Sequence, residues 1–372
     1  MSHARKLFVA VAALLLCAVP PASAALPQLT LPAPTGVFPV GTSSVHLTDT
    51  SRPDPWVPEN RRELMVTLWY PAWPGGERAQ YMTPAESELL LKDEAPPGLP
   101  HDILSTVRTN AAKNAKPLGL NHSLPLIVLS PGYTKPRATL TSLAEDLASH
   151  GYVVAGIEHT YESAGTSFPD GRVVSCVSCD LQHDDAFWLK VGAGRAADVS
   201  FVLDELVKPA ARWPGAALID PRRMAMAGHS AGGASSIPAL LNDSRLRAGV
   251  NIDGLQSTPV PDTGLARPFL FLGNELRHVP DKDPSWTQAW ERLGGWKRWF
   301  VVSGTEHASF TDVGLLLDQV GADFGATIPS IRASEITRRY VRAFFDLHLR
   351  GLPQPLLDRP SAAYPELKFV GP

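Results

Sequence analysis

MAMAGHSAGGASS, residues 224–236, sets a short apolar run against a serine boxed by glycines. Its centre is Gly228-His229-Ser230-Ala231-Gly232, and the flanking residues decide how it is read. "RMAMA" in front reads as a buried strand, and "ASSIPALL" behind it as a helix. A serine on a sharp strand-to-helix turn, with glycines that let the backbone close, has the form of a nucleophile elbow. The start of the following helix turns its positive dipole end toward any oxyanion that forms beside the serine. Gly-x-Ser-x-Gly alone also describes a plain glycine-rich turn, so the elbow needs partners elsewhere in the chain.

Working outward, strands and helices alternate on both sides of the motif. "LPLIVLS" (124–130), "YVVAGIEH" (152–159), "RAGVNIDG" (247–254), "RPFLFLGNE" (267–275) and "RWFVVSGTEH" (298–307) read as strands. "ATLTSLAEDLASHG" (138–151), "AGRAADVSFVLDELVKP" (193–209) and "ASEITRRYVRAFFDLHL" (333–349) carry helical spacing, and the last closes the chain. Continuous apolar strands separated by helices predict a mostly parallel sheet covered on both faces. "SVHLTDT" (44–50) and "ELMVTLWYP" (63–71) predict antiparallel strands at the edge of that sheet. Residues 81–120 read as helical or irregular, with "PAESELLLKDE" a short helix, and residues 25–40 as an extended proline-rich segment. The chain from 25 to 372 is expected to form a single domain.

A serine hydroxyl is a poor nucleophile until an oriented base takes its proton. The fold's chain order is serine, acid, histidine, each at the end of a later strand. Asp253 ends "GVNIDG" and His307 ends the "VVSGTEH" strand, as that order requires. Glu275, at the end of "FLFLGNE", and the loop residues Asp262, Asp281 and Asp283 compete for the acid. His278 and His348 compete for the base. Two backbone N–H groups must also face the developing oxyanion. Ala231 supplies one, and Tyr133, after Pro131-Gly132 in "LIVLSPGYTKP", supplies the other.

His159 and Tyr161 in "IEHTYES", and His229 inside the elbow, are candidates for lining the substrate cleft; His159 reads more readily as a hydrogen-bonded strand-end residue, because strand-end polar side chains often only satisfy backbone. The tryptophans at 286, 290, 296 and 299 read as core, or alternatively as a lipid-facing surface. About 14 residues, Leu255–Pro268, separate the acid from the next strand, too few for a helical lid.

The bulk numbers fit this picture. The 372 residues are 44% hydrophobic and 19% charged, with a net charge of −3 and no basic run of the kind nucleic acid requires. "MSHARKLFVAVAALLLCAVPPASA" has the positive start, short apolar stretch and Ala22-Ser23-Ala24 cleavage site of a secretory signal peptide over residues 1–24. Its apolar run falls short of the ~20 residues that span a bilayer. Leu16 occupies the place where lipoprotein signals carry a small residue before the cysteine. The exported chain then keeps Cys176 and Cys179, which read as a local disulfide in an oxidising compartment. A redox pair would sit where a strand feeds a helix, and a zinc site with His183 lacks an evident fourth ligand.

These residues carry a resemblance. From about residue 35 to 350 the chain resembles the platelet-activating-factor acetylhydrolase family of α/β-hydrolases, in its secreted bacterial form. "LASHGYVVAGIEHTYESA", "GHSAGG", "NIDG" and "GTEHASFTD" resemble the family's post-oxyanion segment, elbow, acid and histidine segment. The last match, through Gly304, His307, Phe310 and Asp312, is more specific than the elbow. The chain departs from the animal members in having "SPGY" where they carry a histidine before the glycine, and there it is similar to bacterial cutinases and polyester hydrolases.

The resemblance implies an α/β-hydrolase fold without a large cap and a secreted serine esterase acting on short-acyl lipid esters. It implies a Ser230–His307–Asp253 triad, an acyl-enzyme, and no metal or organic cofactor. A cutinase-like polyester hydrolase or triacylglycerol lipase stays open as the alternative, and more remotely an inactive hydrolase fold used for binding. The expected partner is a small-molecule or lipid ester, met by a monomer that at most touches a lipid surface transiently and has no transmembrane segment.

Overall fold

The computed structural model describes residues 28–92 and 95–370, so the leader read at 1–24 lies outside the described residues. The strands are β1 (Val40–Pro53), β2 (Arg61–Pro71), β3 (Arg78–Gln80), β4 (Arg108–Lys113), β5 (Leu124–Ser130), β6 (Val153–His159), β7 (Gly165–Ser167), β8 (Val173–Ser175), β9 (Ile219–His229), β10 (Leu246–Ile252), β11 (Phe269–Asn274), β12 (Lys297–Val302) and β13 (Leu367–Phe369). The helices are α1 (Pro84–Leu91), α2 (Thr141–Ser149), α3 (Asp185–Val207), α4 (Ala231–Ala234), α5 (Ser236–Asn242), α6 (Pro284–Arg292), α7 (Asp312–Gln319) and α8 (Ser330–Arg350).

Among the described residues, an 11-stranded sheet runs β13-β12-β11-β10-β9-β5-β6-β2-β1-β4-β3. From β12 to β6 each strand is parallel to its neighbours. β2 lies antiparallel on β6 and β1 antiparallel on β2, while β13 closes the other edge antiparallel to β12. The strand order reverses at β5, which lies between β9 and β6. In open α/β sheets the crevice at such a switch point, beyond the carboxyl ends of the strands, is where ligands bind. The loops after β5 and β9 carry Tyr133 and Ser230 into that crevice.

Side-chain alternation explains why the strands read as unbroken apolar runs. Leu126 and Val128 pack with Met224, Met226, Phe269 and Phe271 under α3, α5 and α6. Ile127 and Leu129 pack with Ala225, Ala227, Leu270 and Leu272 under α2 and α8 on the opposite face. Trp286, Trp290 and Trp299 lie in the first of these layers, so the core reading holds for them and the lipid-facing one does not.

Three elements differ from expectation. β1 and β2 are internal, because β4 and β3 pair outside them from the stretch read as helical or irregular. "RTNAAK" has no apolar run to announce a strand; it is held by pairing with β1 and by the Glu145 carboxylate, which accepts the N–H groups of Asn110 and Ala111 at 2.8 and 2.7 Å. The helix after the elbow breaks at Ser235 into α4 and α5. β13 follows α8, so the helix does not end the chain. The described segment between β10 and β11 has no helix, which leaves the crevice without a cap there.

Candidate active site

Ser230 sits at the tip of the turn between β9 and α4, with φ 55° and ψ −123°, a strained conformation for a residue with a side chain. The glycines make that turn possible by close approach. A Cβ on Gly228 would collide with the Gly232 carbonyl carbon, and one on Gly232 with the Ser130 carbonyl oxygen. The serine is held from below by its N–H, which donates to Ile252 O at 2.8 Å, and its carbonyl accepts from Ala234 N at 2.9 Å.

One strand further on, Asp253 also adopts a left-handed φ of 55°, and is buried. Its Oδ2 accepts from His307 Nδ1 at 2.5 Å. Its Oδ1 accepts from the Asn274 N–H at 2.6 Å and from Asn274 Nδ2 at 2.9 Å. Burial alone would raise this carboxyl. The bond from His307 and the charges of His278 and His307 outweigh it and hold Asp253 below its ordinary value. Because Nδ1 carries the proton given to Asp253, the other ring nitrogen of His307 is left as an acceptor.

His307 opens a 3-10 turn, His307–Phe310, and its side chain is 44% exposed. Phe310 is buried in the core layer under α8, and Asp312, at the start of α7, accepts from the Ser142 N–H at 3.2 Å. Phe310 and Asp312 thus clamp the histidine segment against α2. Burial pushes Asp312 up to about 7. Among the described residues no side chain hydrogen-bonds the Ser230 hydroxyl; such bonds are commonly long before substrate arrives.

Neither the Tyr133 nor the Ala231 N–H has an acceptor among the described residues. The loop carrying Tyr133 is fixed by a buried ionic network. Arg195 Nη1 donates to Pro131 O at 2.5 Å and to Ser130 Oγ at 3.1 Å, and its Nε donates to Glu162 at 2.8 Å. Arg62 binds Asp198 and Asp54 at 2.6 and 2.8 Å. Burial would raise Asp198, but Arg62 and His159 hold it well below the carboxylate range.

His159 belongs to this network and does not line the cleft. It is 1% exposed, with Nδ1 on Asp198 and Nε2 on Ser130 Oγ, each at 2.8 Å. His229 is also withdrawn from the cleft. Burial pushes it down to about 3, and its Nε2 reaches His307 O at 2.9 Å, so the neutral ring steadies the His307 backbone. Tyr161 is half-buried and packs in one cluster with Tyr133 and Ala231. Glu275 pairs with Lys368 at 2.5 Å, away from His307. His229, Asp253 and His307 bring potential metal-ligand atoms within 4.8 Å of one another, but the Asp253–His307 contact is a direct hydrogen bond that orients the ring.

Cys176 and Cys179 are disulfide-bonded. The loop they close carries Ser178, whose Oγ lies 2.9 Å from the Tyr133 hydroxyl. Tyr133, Phe187 and Trp188 meet edge to face at 5.1–5.6 Å, and His183 stacks on Phe187 at 4.3 Å. Asn274, Arg195, Glu162 and Asp198 escape a reading of the sequence, because isolated polar residues far apart in the chain produce no periodic signal.

A mostly parallel sheet with a strained serine, a buried carboxylate–histidine pair and free amides at its switch point defines an esterase of the α/β-hydrolase fold. The solved structure of a ferulic acid esterase from Streptomyces cinnamoneus superposes with a TM-score of 0.83 at 42% identity, over 93% of this chain and 100% of that one. Over 91% of this chain and 93% of its own length, the probable 1-alkyl-2-acetylglycerophosphocholine esterase of Arthroderma benhamiae is 28% identical. Platelet-activating factor acetylhydrolase of Canis lupus familiaris is 25% identical over 78% of this chain and 70% of its own. Residues 24–190 and 216–350 match the family platelet-activating factor acetylhydrolase, isoform II, and the chain belongs to it. It is a carboxylic ester hydrolase.

Proposed function

We propose that Ser230, His307 and Asp253 form the catalytic triad and that the enzyme hydrolyses short-acyl lipid esters outside the cell. The observation that carries this reading is the 2.5 Å bond from His307 Nδ1 to a buried Asp253, one strand beyond the strained serine. His307 Nε2 takes the Ser230 proton as Oγ attacks the ester carbonyl, and the Ala231 and Tyr133 N–H groups receive the oxyanion. The tetrahedral intermediate collapses to an acyl-serine as the alcohol leaves with that proton. Water, deprotonated by the same nitrogen, then releases the acid and restores Ser230.

The short-acyl reading is supported by an apolar cavity of about 160 Å³, lined by Met82, Leu90, Ile103, Leu104 and Leu316, which reaches the oxyanion loop at Lys135. The leader at 1–24 and the disulfide support export, and the continuous sheet from Val40 to Phe369 supports a single domain. A second reading, an aromatic acyl group as in the Streptomyces enzyme's ferulic acid, is favoured by the aromatic wall of Tyr133, Phe187, Trp188 and His183. Rates on a short-acyl phospholipid, tributyrin, a soluble polyester and methyl ferulate decide the matter. The proposal requires the phospholipid to have the highest kcat/KM, and a preference for methyl ferulate establishes the second reading.

A further inference from the structure

Behind Asp253 lies a second histidine. His278 is 1% exposed, on the turn after β11, and its ring stacks on Trp286 with centroids 4.1 Å apart. Its Nδ1 is 2.6 Å from Asp283 Oδ2, and its Nε2 is 3.5 Å from Asp253 Oδ1. Asp283 is buried as well, and its other oxygen caps α6 by accepting from Ser285 N, Ser285 Oγ and Trp286 N at 2.6–3.0 Å. A carboxylate so engaged is an acceptor, so the ring nitrogen facing it carries a proton. The opposite nitrogen then meets Asp253 either as a lone pair against a carboxylate, which repels, or as an N–H, which attracts.

We propose that His278 is an imidazolium held between Asp283 and Asp253, a fixed positive charge that positions the acid of the triad and keeps it ionised through turnover. The proposal rests on the reading of Asp253 as that acid. The charged and titratable groups around the pair are few. Asp253 faces the ring from the end of β10 and Asp283 from the start of α6, while His307 and His229 face Asp253 from its other side. Trp286 covers the ring without charge, and Arg277 and Lys282 on the same turn are exposed. His278 touches no substrate atom in this scheme; it acts through Asp253 and is a positioning residue.

Asp283→Asn tests this with little change of volume: its amide oxygen still caps α6, and its NH2 group then faces Nδ1, which must accept and so gives up the second proton. It removes one of the two charges that hold the second proton on the ring. His278→Gln removes the cation altogether. For both variants we expect kcat to fall about tenfold, the scale of one charge-assisted contact, with KM changed less than about twofold. The acid limb of the kcat/KM profile should move to higher pH, because a cation beside the pair opposes protonation of the base.

A lower melting temperature with unchanged kcat and unchanged acid limb would mean that His278 only packs, and overturns the proposal. If His278→Gln fails to fold, Asp283→Asn decides. Asp253→Asn, run in parallel, separates the two claims. If it is inactive while the other variants behave as wild type, only the role of His278 is lost. If it is active, the triad reading fails and this proposal with it.

Discussion

Replacing Asp253 by asparagine should inactivate the enzyme through geometry that surrounds the side chain before the substitution is made. Asn274 donates to Oδ1 from its backbone N–H at 2.6 Å and from Nδ2 at 2.9 Å, so an asparagine at 253 must keep its carbonyl oxygen on that side. Its NH2 group is then turned toward His307, where Oδ2 now accepts from Nδ1 at 2.5 Å. Two donors cannot share that contact. The imidazole must accept there and carry its proton on Nε2, the tautomer that cannot deprotonate Ser230. The expected loss in kcat is about 10⁴-fold, or roughly 5.5 kcal/mol of barrier, with KM little changed. Melting temperature should shift by only a few degrees, since the replacement is isosteric. Steady-state hydrolysis of p-nitrophenyl acetate measures the loss, with Glu275→Gln as the control, since Glu275 pairs with Lys368. An Asp253→Asn enzyme within about tenfold of wild type, or a loss that appears in Glu275→Gln instead, would mean that Asp253 does not orient His307 for catalysis.

Further outcomes follow from other contacts. Tyr133→Phe removes the hydroxyl bonded to Ser178 but keeps the backbone N–H, so kcat should stay within about threefold of wild type; a loss of 100-fold or so would give the side chain the role assigned to the amide. Arg195→Met leaves Glu162 buried and unpaired and frees the Pro131 carbonyl, and urea unfolding should show a loss of about 3–5 kcal/mol. Asp312 has a folded-state value raised to about 7 from an ordinary 3.8, so it binds its proton more tightly folded than unfolded and stability falls as pH rises between those values. Asp312→Asn should therefore gain stability relative to wild type as pH rises through that window, and parallel stability curves for the two proteins would contradict the assignment. Alkylation of the oxidised protein should find no free thiol at Cys176 or Cys179, and reducing their bridge, which closes a short loop, should change the melting temperature little.

The parts of this enzyme legible in its sequence are those whose physics is local. A four-residue apolar run before Gly228, and strand ends at Asp253 and His307, follow from periodicity and chain order, and the structure brings the last two side chains into contact. The tryptophans near 290 are core because Trp286 and Trp290 of α6 pack with Trp299 of β12 in one buried layer. The parts that stay hidden depend on pairing at a distance. β4 is a strand because β1 and Glu145 offer it hydrogen bonds, not because Arg108–Lys113 has a strand's composition. His159 reads as a hydrogen-bonded strand-end residue or a cleft residue from its place at the end of β6, but its partner is invisible in the sequence: Asp198, 39 residues away on α3, claims it for the network under the Tyr133 loop. His278 and Asp283 read only as competitors of His307 and Asp253, because nothing in their spacing places them behind the acid.

A fluorophosphonate probe followed by peptide mapping checks Ser230 as the nucleophile. One adduct is expected, on Ser230, formed in step with complete loss of esterase activity, and no labelling or hydrolysis above about 10⁻⁴ of wild type in Ser230→Ala. An adduct on another residue, or a Ser230→Ala enzyme retaining more than about a tenth of wild-type activity, contradicts it.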